Sequence, residues 1–308
     1  MATQKDVKNR ISSVKNIRKI TRAMEMVAAA RLRRAEQRID QMRPYAQAIR
    51  RITQRVAEAA GPAGNRVALL QQRDEVKRVG IILVTGDRGL AGSFNTQIIR
   101  AGAQLQREIE AEGQEVAYYV VGRRGNSALS FRGEKVDGSF TGFTDQPAFA
   151  NAREIGDRLA ASYVDQDIDR VELIYNRYVS PLTQYVRRHT LLPLAEAEVF
   201  GEGVPEPEKP ADPELAEAHQ RAEWIYEPEP EEALQALFEE YVNLSVYRAL
   251  LESAASEHGA RMTAMRNAAE NAGDMIERLT LEMNRVRQAE ITQEILEVVG
   301  GAEALGSG

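Results

Sequence analysis

No cysteine occurs in the sequence, which excludes disulfides, thiolate nucleophiles and sulfur-ligated metals. Histidine is nearly as scarce. His189, His219 and His258 are scattered, leaving little material for acid–base chemistry near neutral pH. Aromatics make up 6% of the chain against 43% hydrophobic residues overall, a balance that favours an elongated helical molecule over one large compact core. No apolar run approaches the roughly 18 residues needed to cross a bilayer. The opening residues carry Lys5, Lys8, Arg10 and Lys15 where a signal peptide would carry an apolar centre. The signatures H-E-x-x-H and G-x-S-x-G are missing as well. The chain reads as having no active site, cofactor or metal of its own, and as reaching a membrane only through partners.

What is present is a charge gradient and two long periodic segments. Net charge is −6, yet residues 1–60 hold 15 Lys/Arg against 5 Asp/Glu, a net of +10, and residues 229–308 hold 6 against 15, a net of −9. Ends of opposite sign attract each other. From Val7 through Ile11, Val14, Ile17, Ile20, Met24, Ala28, Leu32, Ala35, Ile39, Met42, Ala46, Ile49 and Ile52 to Val56, apolar residues recur in 14 steps over 49 residues, or 3.5 per step. That is the period of a left-handed coiled coil. Thr3-x-x-Asp6 predicts a capping box at the start and Gly61-Pro62 a stop, with a bend expected at Pro44. A second seam runs from Leu234, Leu237, Tyr241, Leu244, Tyr247 and Leu251 to Met283 and Val286, with Gly300-Gly301 predicted to end it and 301–308 a flexible tail. The chain leaves one helix for the middle segment and returns into the other, so the pair is antiparallel. At ~1.5 Å per residue they reach roughly 80 Å and 105 Å, far beyond a middle domain whose radius of gyration is about 15 Å. The longer second helix outruns the first, leaving Ile291, Ile295, Leu296, Val298 and Val299 as an apolar tip that requires a partner.

The middle segment, residues 70–228, alternates strand and helix signals: strands at Val79–Thr85, Glu115–Val121, Val171–Tyr178 and Thr183–Leu191, and helices at Asn95–Ala111 and Pro147–Val164. The predicted fold is a coiled coil of N- and C-terminal helices (1–60 and 229–300) with an inserted Rossmann-like α/β domain and a largely parallel sheet. Gly86, Gly89 and Gly92 sit at a strand-to-helix turn whose amides could cradle a phosphate, but the turn lacks the Gly-Lys-Ser/Thr of a P-loop, and a tight glycine turn is the favoured reading. The Pro/Glu-rich stretch 201–215 has little to bury and reads as a solvated loop. The basic first helix opens the possibility of nucleic-acid binding. Its acidic partner helix and sparse aromatics favour an acidic protein partner over nucleic acid. On pattern alone, the alternative reading is an antiparallel coiled-coil scaffold or tether without nucleotide chemistry.

Lys19-Ile-Thr-Arg-Ala-Met-Glu-Met-Val-Ala-Ala-Ala30, Thr85-Gly-Asp-Arg-Gly-Leu-Ala-Gly92, Tyr226-Glu-Pro228, Ala260-Arg-Met-Thr-Ala-Met-Arg-Asn-Ala268 and Arg287-Gln-Ala-Glu-Ile-Thr-Gln-Glu-Ile295 together resemble the gamma subunit of the F-type ATP synthase, in order and over nearly the whole chain. The resemblance implies a central rotor shaft that couples ion flow through the membrane c-ring to the catalytic beta subunits. Its expected partners are the alpha and beta subunits, the epsilon subunit and the c-ring. It implies hexamer contacts at Met24, Arg31, Arg33, Arg34, Arg287, Gln288, Thr292 and Glu294, and a foot on the c-ring at Trp224, Tyr226 and Glu227. Two departures stand out: 201–215 is longer than expected of bacterial members, and Ala91 stands where many relatives carry cysteine. With no transit peptide and no cysteine-bearing insert, the resemblance points to a peripheral protein on the cytoplasmic face of a bacterial plasma membrane.

Overall fold

A computed structural model describes residues 3–60, 67–181, 183–194 and 230–306, with side chains left aside at 58–60, 230, 231 and 300–306. The stretch 201–215 and the expected foot residues Trp224, Tyr226 and Glu227 lie outside the described residues.

The α/β unit is built on β1 (Arg78–Val84), whose β-branched run is buried from both sides. It pairs in parallel with β2 (Glu115–Val121) and β4 (Arg170–Tyr178), with Val79 opposite Val116 on one side and Arg170 on the other. β3 (Val136–Phe140) adds a parallel edge to β2, and β5 (Gln184–Leu192) an antiparallel edge to β4, giving the order β3-β2-β1-β4-β5. Helices α2 (Phe94–Ala111), α3 (Arg123–Phe131) and α4 (Phe149–Val164) connect the strands. α3 and β3 were not foreseen. The segments RRGNSALSF and VDGSF are short and rich in Gly, Ser and Asp, residues with weak helix and strand preference whose conformation here is imposed by packing.

The strand period of 2 divides the core. Val79, Ile81 and Leu83 pack against Phe94, Ile98, Leu105 and Ile109 of α2, while Ile82 and Val84 face Ile155 and Leu159 of α4. That second layer is completed by the start of helix α5 (Pro230–Gly306), whose Leu234, Phe238, Val242, Val246 and Leu250 join the same cluster. The α/β unit is therefore not confined to residues 70–228. One of its layers comes from the C-terminal helix, which the heptad reading had assigned wholly to the stem.

Helix α1 (Gln4–Ala60) has 57 residues and α5 has 77, or about 85 Å and 115 Å at 1.5 Å per residue. The foreseen cap forms: Thr3 N and Oγ1 donate to Asp6 Oδ2 at 3.1 and 2.8 Å. Pro44 lies inside one continuous helix. The pairing is antiparallel, since Gln4 meets Glu290, Glu25 meets Arg266 and Tyr45 meets Glu240. Gly300-Gly301 does not end α5, which continues to Gly306. Each glycine costs a helix only about 1 kcal/mol relative to alanine, too little to stop a helix of 77 residues.

The seam departs from the predicted one between Ile11 and Ala28. Thr21 is buried and Glu25 pairs across to Arg266 at 2.9 Å, whereas Ile17 and Ile20 are 52% and 59% exposed. Ala269, Ala272 and Gly273 offer a shallow surface there, and the Arg18 guanidinium lies over Gly273. The Glu25–Arg266 pair also runs against the bulk charges, with the acid on basic α1 and the base on acidic α5.

Candidate functional site

Displacing Ile17 and Ile20 from the seam produces an outward apolar stripe. Together with the exposed Val27 and the half-buried Met24 they recur at helical spacing on one side of α1, with exposed Met26 beside them. Further out α5 outruns its partner. Beyond the Gln4–Glu290 contact nothing of α1 faces it, and Ile291, Ile295, Leu296, Val298 and Val299 are exposed. Contiguous apolar surface of this kind marks an interaction site.

The sequence-derived contact residues divide over this surface. Arg287, Gln288, Thr292 and Glu294 are all exposed, the first two just before the Gln4–Glu290 contact and the last two on the overhang beyond it, with Thr292 Oγ1 donating back to Gln288 O at 2.8 Å. Arg33 and Arg34 are exposed on α1. Arg31 differs from them. Its Nη1 bonds Asp145 Oδ2 in the loop before α4, so the residue ties α1 to the α/β unit of its own chain.

The second site is one the sequence did not announce. In doubly wound sheets a ligand enters the crevice at the carboxyl ends of the strands where chain order reverses, here between β1 and β4. That crevice is occupied by α5. Ser253 Oγ donates to Val84 O at 3.4 Å at the end of β1, and Ser256 Oγ to Asn176 O at 3.1 Å on β4. The helix is buried without interruption over residues 249–259, held between the sheet and α1. The glycine turn closes over it. A Cβ on Gly86 would stand 2.8 Å from the Glu257 carboxyl, so a larger residue there would displace that side chain. The turn's polar groups are taken up internally: Gly86 N donates to Asn95 Oδ1 at 2.8 Å and Asp87 N to Thr144 Oγ1 at 2.9 Å. Asp87 accepts from the backbone amides of Arg123, Gly142 and Thr144, and these bonds hold its pKa below the usual carboxylate range despite burial.

Around Glu257 the buried polar groups form a chain. Arg261 Nη2 donates to Glu257 Oε1 and, at 3.3 Å, to Gly89 O. Arg261 Nη1 donates to His258 Nδ1 at 3.3 Å, and His258 Nε2 donates to Asp145 O at 3.2 Å. Arg261 faces Nδ1 as a donor, so the imidazole is neutral with its proton on Nε2. Burial, with Arg261 and Arg31 nearby, lowers the His258 pKa from its ordinary 6.5, against the pull of the Asp145 carbonyl.

A depressed folded-state histidine pKa means that the unfolded chain takes up the proton first as pH falls. The stabilisation is full above the unfolded value of about 6.5 and is lost as pH drops from there through the folded value. The charged groups acting on the ring are Arg31 from α1, Asp145 from the loop before α4 and Arg261 from α5, with Arg34 and Arg38 of α1 lining the same cleft. The denaturation midpoint is expected to fall between about pH 7.5 and about pH 5.5. His258→Gln, which keeps an acceptor and a donor but cannot titrate, should flatten part of that fall; an unchanged slope would remove His258 from the explanation.

A family model described as ATP synthase matches residues 3–305. The chain is 42% identical to the ATP synthase gamma chain of Moorella thermoacetica over 305 residues, spanning 99% of this chain and 100% of that one. This chain belongs to the ATP synthase gamma chain family. Its identity to the Rubrobacter xylanophilus gamma chain is 41% over 309 residues, spanning 100% of each. Among solved structures it is similar to a chain of the central stalk and c-ring of Tetrahymena thermophila mitochondrial ATP synthase, with TM-score 0.57, 28% identity, and coverage of 81% of this chain and 99% of that one. A chain of the Euglena gracilis mitochondrial ATP synthase rotor shares the fold, with TM-score 0.63 at 17% identity over 94% of this chain and 98% of that one. For the gamma-chain family, a shaft helix filling the nucleotide crevice of a nucleotide-type fold is a physical reason for the turn Thr85-Gly-Asp-Arg-Gly-Leu-Ala-Gly92 to look like a phosphate loop without matching one.

Proposed function

We propose that this chain is the central rotor shaft of an F-type ATP synthase. Its helical pair enters a hexamer of alpha and beta subunits, and its α/β unit stands on the c-ring beside the epsilon subunit. The observation that carries the reading is the overhang of α5, a helix end with apolar residues turned outward and, among the described residues, nothing of its own chain opposite. Such a tip is stable only inside a sleeve. An asymmetric shaft offers each surrounding subunit a different face, so turning it cycles nucleotide affinities by coupling binding free energies to conformation.

Within this reading Met24, Arg33 and Arg34, beside the stripe of Ile17, Ile20 and Val27, meet an acidic segment of beta. Arg287, Gln288, Thr292 and Glu294 meet the hexamer around the tip. Trp224, Tyr226 and Glu227 form the foot on the c-ring. Catalysis belongs to beta, and this chain contributes mechanical coupling without a catalytic site. Among the described residues no helix is long and apolar enough to cross a membrane. The chain is held peripherally at the cytoplasmic face of a bacterial plasma membrane through the c-ring. An affinity-tagged chain expressed in its own cell is expected to bring down alpha and beta subunits in a complex that hydrolyses ATP. Recovery of the chain without them would end the shaft reading.

A further inference from the structure

The stem and the α/β unit have to turn as one body if the shaft couples a membrane ring to a hexamer, and apolar packing alone is a poor guarantee of that. Apolar side chains attract without direction, whereas a buried polar side chain bonded across a joint has one register in which that bond is made. We infer that Glu257 and Arg261 are the torque-bearing lock between the shaft helix and the α/β unit, gripping α5 at the crevice where related folds hold a ligand. The inference rests on the rotor-shaft reading.

Four observations carry it. The Glu257 and Arg261 side chains are only 2% and 9% exposed, at the centre of a molecule whose other ion pairs are mostly near the surface. They sit one helical turn apart, and Arg261 reaches out of the helix to Gly89 O in the glycine turn, so the pair bonds both to itself and across the joint. Gly86 lies directly against the Glu257 carboxyl, 2.8 Å from where a Cβ would stand, so the carboxyl that orients Arg261 sits at the glycine turn. Through His258, Asp145 and Arg31 the same chain of bonds reaches α1, so both helices of the stem are tied to the same loops. Rotation of α5 within its crevice would break the two bonds that cross the joint, Arg261 Nη2 to Gly89 O and His258 Nε2 to Asp145 O, and would carry Arg261 away with the Glu257 carboxylate that orients it.

Replacing the pair with apolar side chains of similar size separates torque from folding, since such exchanges of buried ion pairs commonly preserve stability. In the assembled complex reconstituted into sealed vesicles, Glu257→Leu/Arg261→Met is expected to assemble and hydrolyse ATP. The membrane potential generated per ATP hydrolysed should drop at least roughly fivefold, the lower end of an ordinary coupling free energy. A potential dye reports this whichever ion is pumped. A second variant uses the absence of cysteine: Gly86→Cys/Glu257→Cys/Arg261→Met places thiols at two positions whose side chains approach each other, and formation of the disulfide is verified on a non-reducing gel before coupling is read. Oxidised, it should couple well; reduced, poorly; the unaltered complex should respond to neither treatment. An unchanged ratio in the first variant, or equal coupling of the second in both redox states, overturns the lock while leaving the shaft reading intact. Failure of both variants to assemble also overturns it, because the pair would then be a folding requirement only. A chain that never captures alpha and beta fails the shaft reading itself.

Discussion

Phe238→Ala is expected to destabilise the whole chain by ~3–5 kcal/mol, the range for removing a large buried aromatic side chain. Phe238 is 0% exposed and lies in one cluster with Ile82, Val84, Ile155, Leu159 and Leu192, so the cavity would open between sheet, α4 and α5. The neighbours are poorly placed to collapse into it. α4 and α5 already approach so closely that a Cβ on Gly156 would stand 3.2 Å from the Cα of Asn243. Denaturant unfolding of the full-length protein measures the loss. It should appear as a lower midpoint of the α/β transition, because the substituted residue sits on the sheet and not in the stem. A shift below about 1 kcal/mol, the scale of an ordinary point substitution, would mean that α5 contributes no layer to the α/β core.

Deletion from Arg287 onward is expected to do the opposite: little to stability and much to function. Of the residues removed, 287–289 and 291–299 are exposed, and the nearest bond to α1, Gln4 N to Glu290 Oε1, is long at 3.4 Å. Loss of such surface shifts stability by only about 0.5 kcal/mol. In the assembled complex, however, the tip contacts would be gone, and ATP synthesis should fall roughly tenfold or more, in line with losing a coupling free energy of ~1–3 kcal/mol. The check is ATP yield in energised vesicles beside the unfolding midpoint of the isolated chain. Full yield from the truncated protein would show that Arg287, Gln288, Thr292 and Glu294 make no productive contact.

Most of the fold was legible along the chain because its signals are local. A period of 3.5 residues requires paired helices wherever it persists, and a short β-branched run between turn residues requires a buried strand. β2 at Glu115–Val121 and α2 at Phe94–Ala111 fall on or within one residue of the predicted limits. Legibility failed where a residue's role depends on what lies across from it. Ile17 and Ile20 continue the heptad in sequence, but the small residues Ala269, Ala272 and Gly273 opposite leave room for Arg18 and Thr21, and the isoleucines turn outward. Arg31, Arg33 and Arg34 form one basic run in sequence. Asp145, more than a hundred residues away, claims the first of them.

By itself the sequence determined that two long helices must pair antiparallel, that an alternating α/β segment lies between them, and that one helix end protrudes with apolar residues needing cover. These follow from periodicity, length and composition, which each stretch of chain carries whether or not the rest is present. Only the tertiary structure decided that α5 is both a layer of the α/β core and half of the stem, that Gly86 lies against the Glu257 carboxyl, and that Glu257, His258 and Arg261 are sealed inside the joint. A buried charge is tolerable only where its partners converge in space, and the partners here come from four separate stretches of the chain.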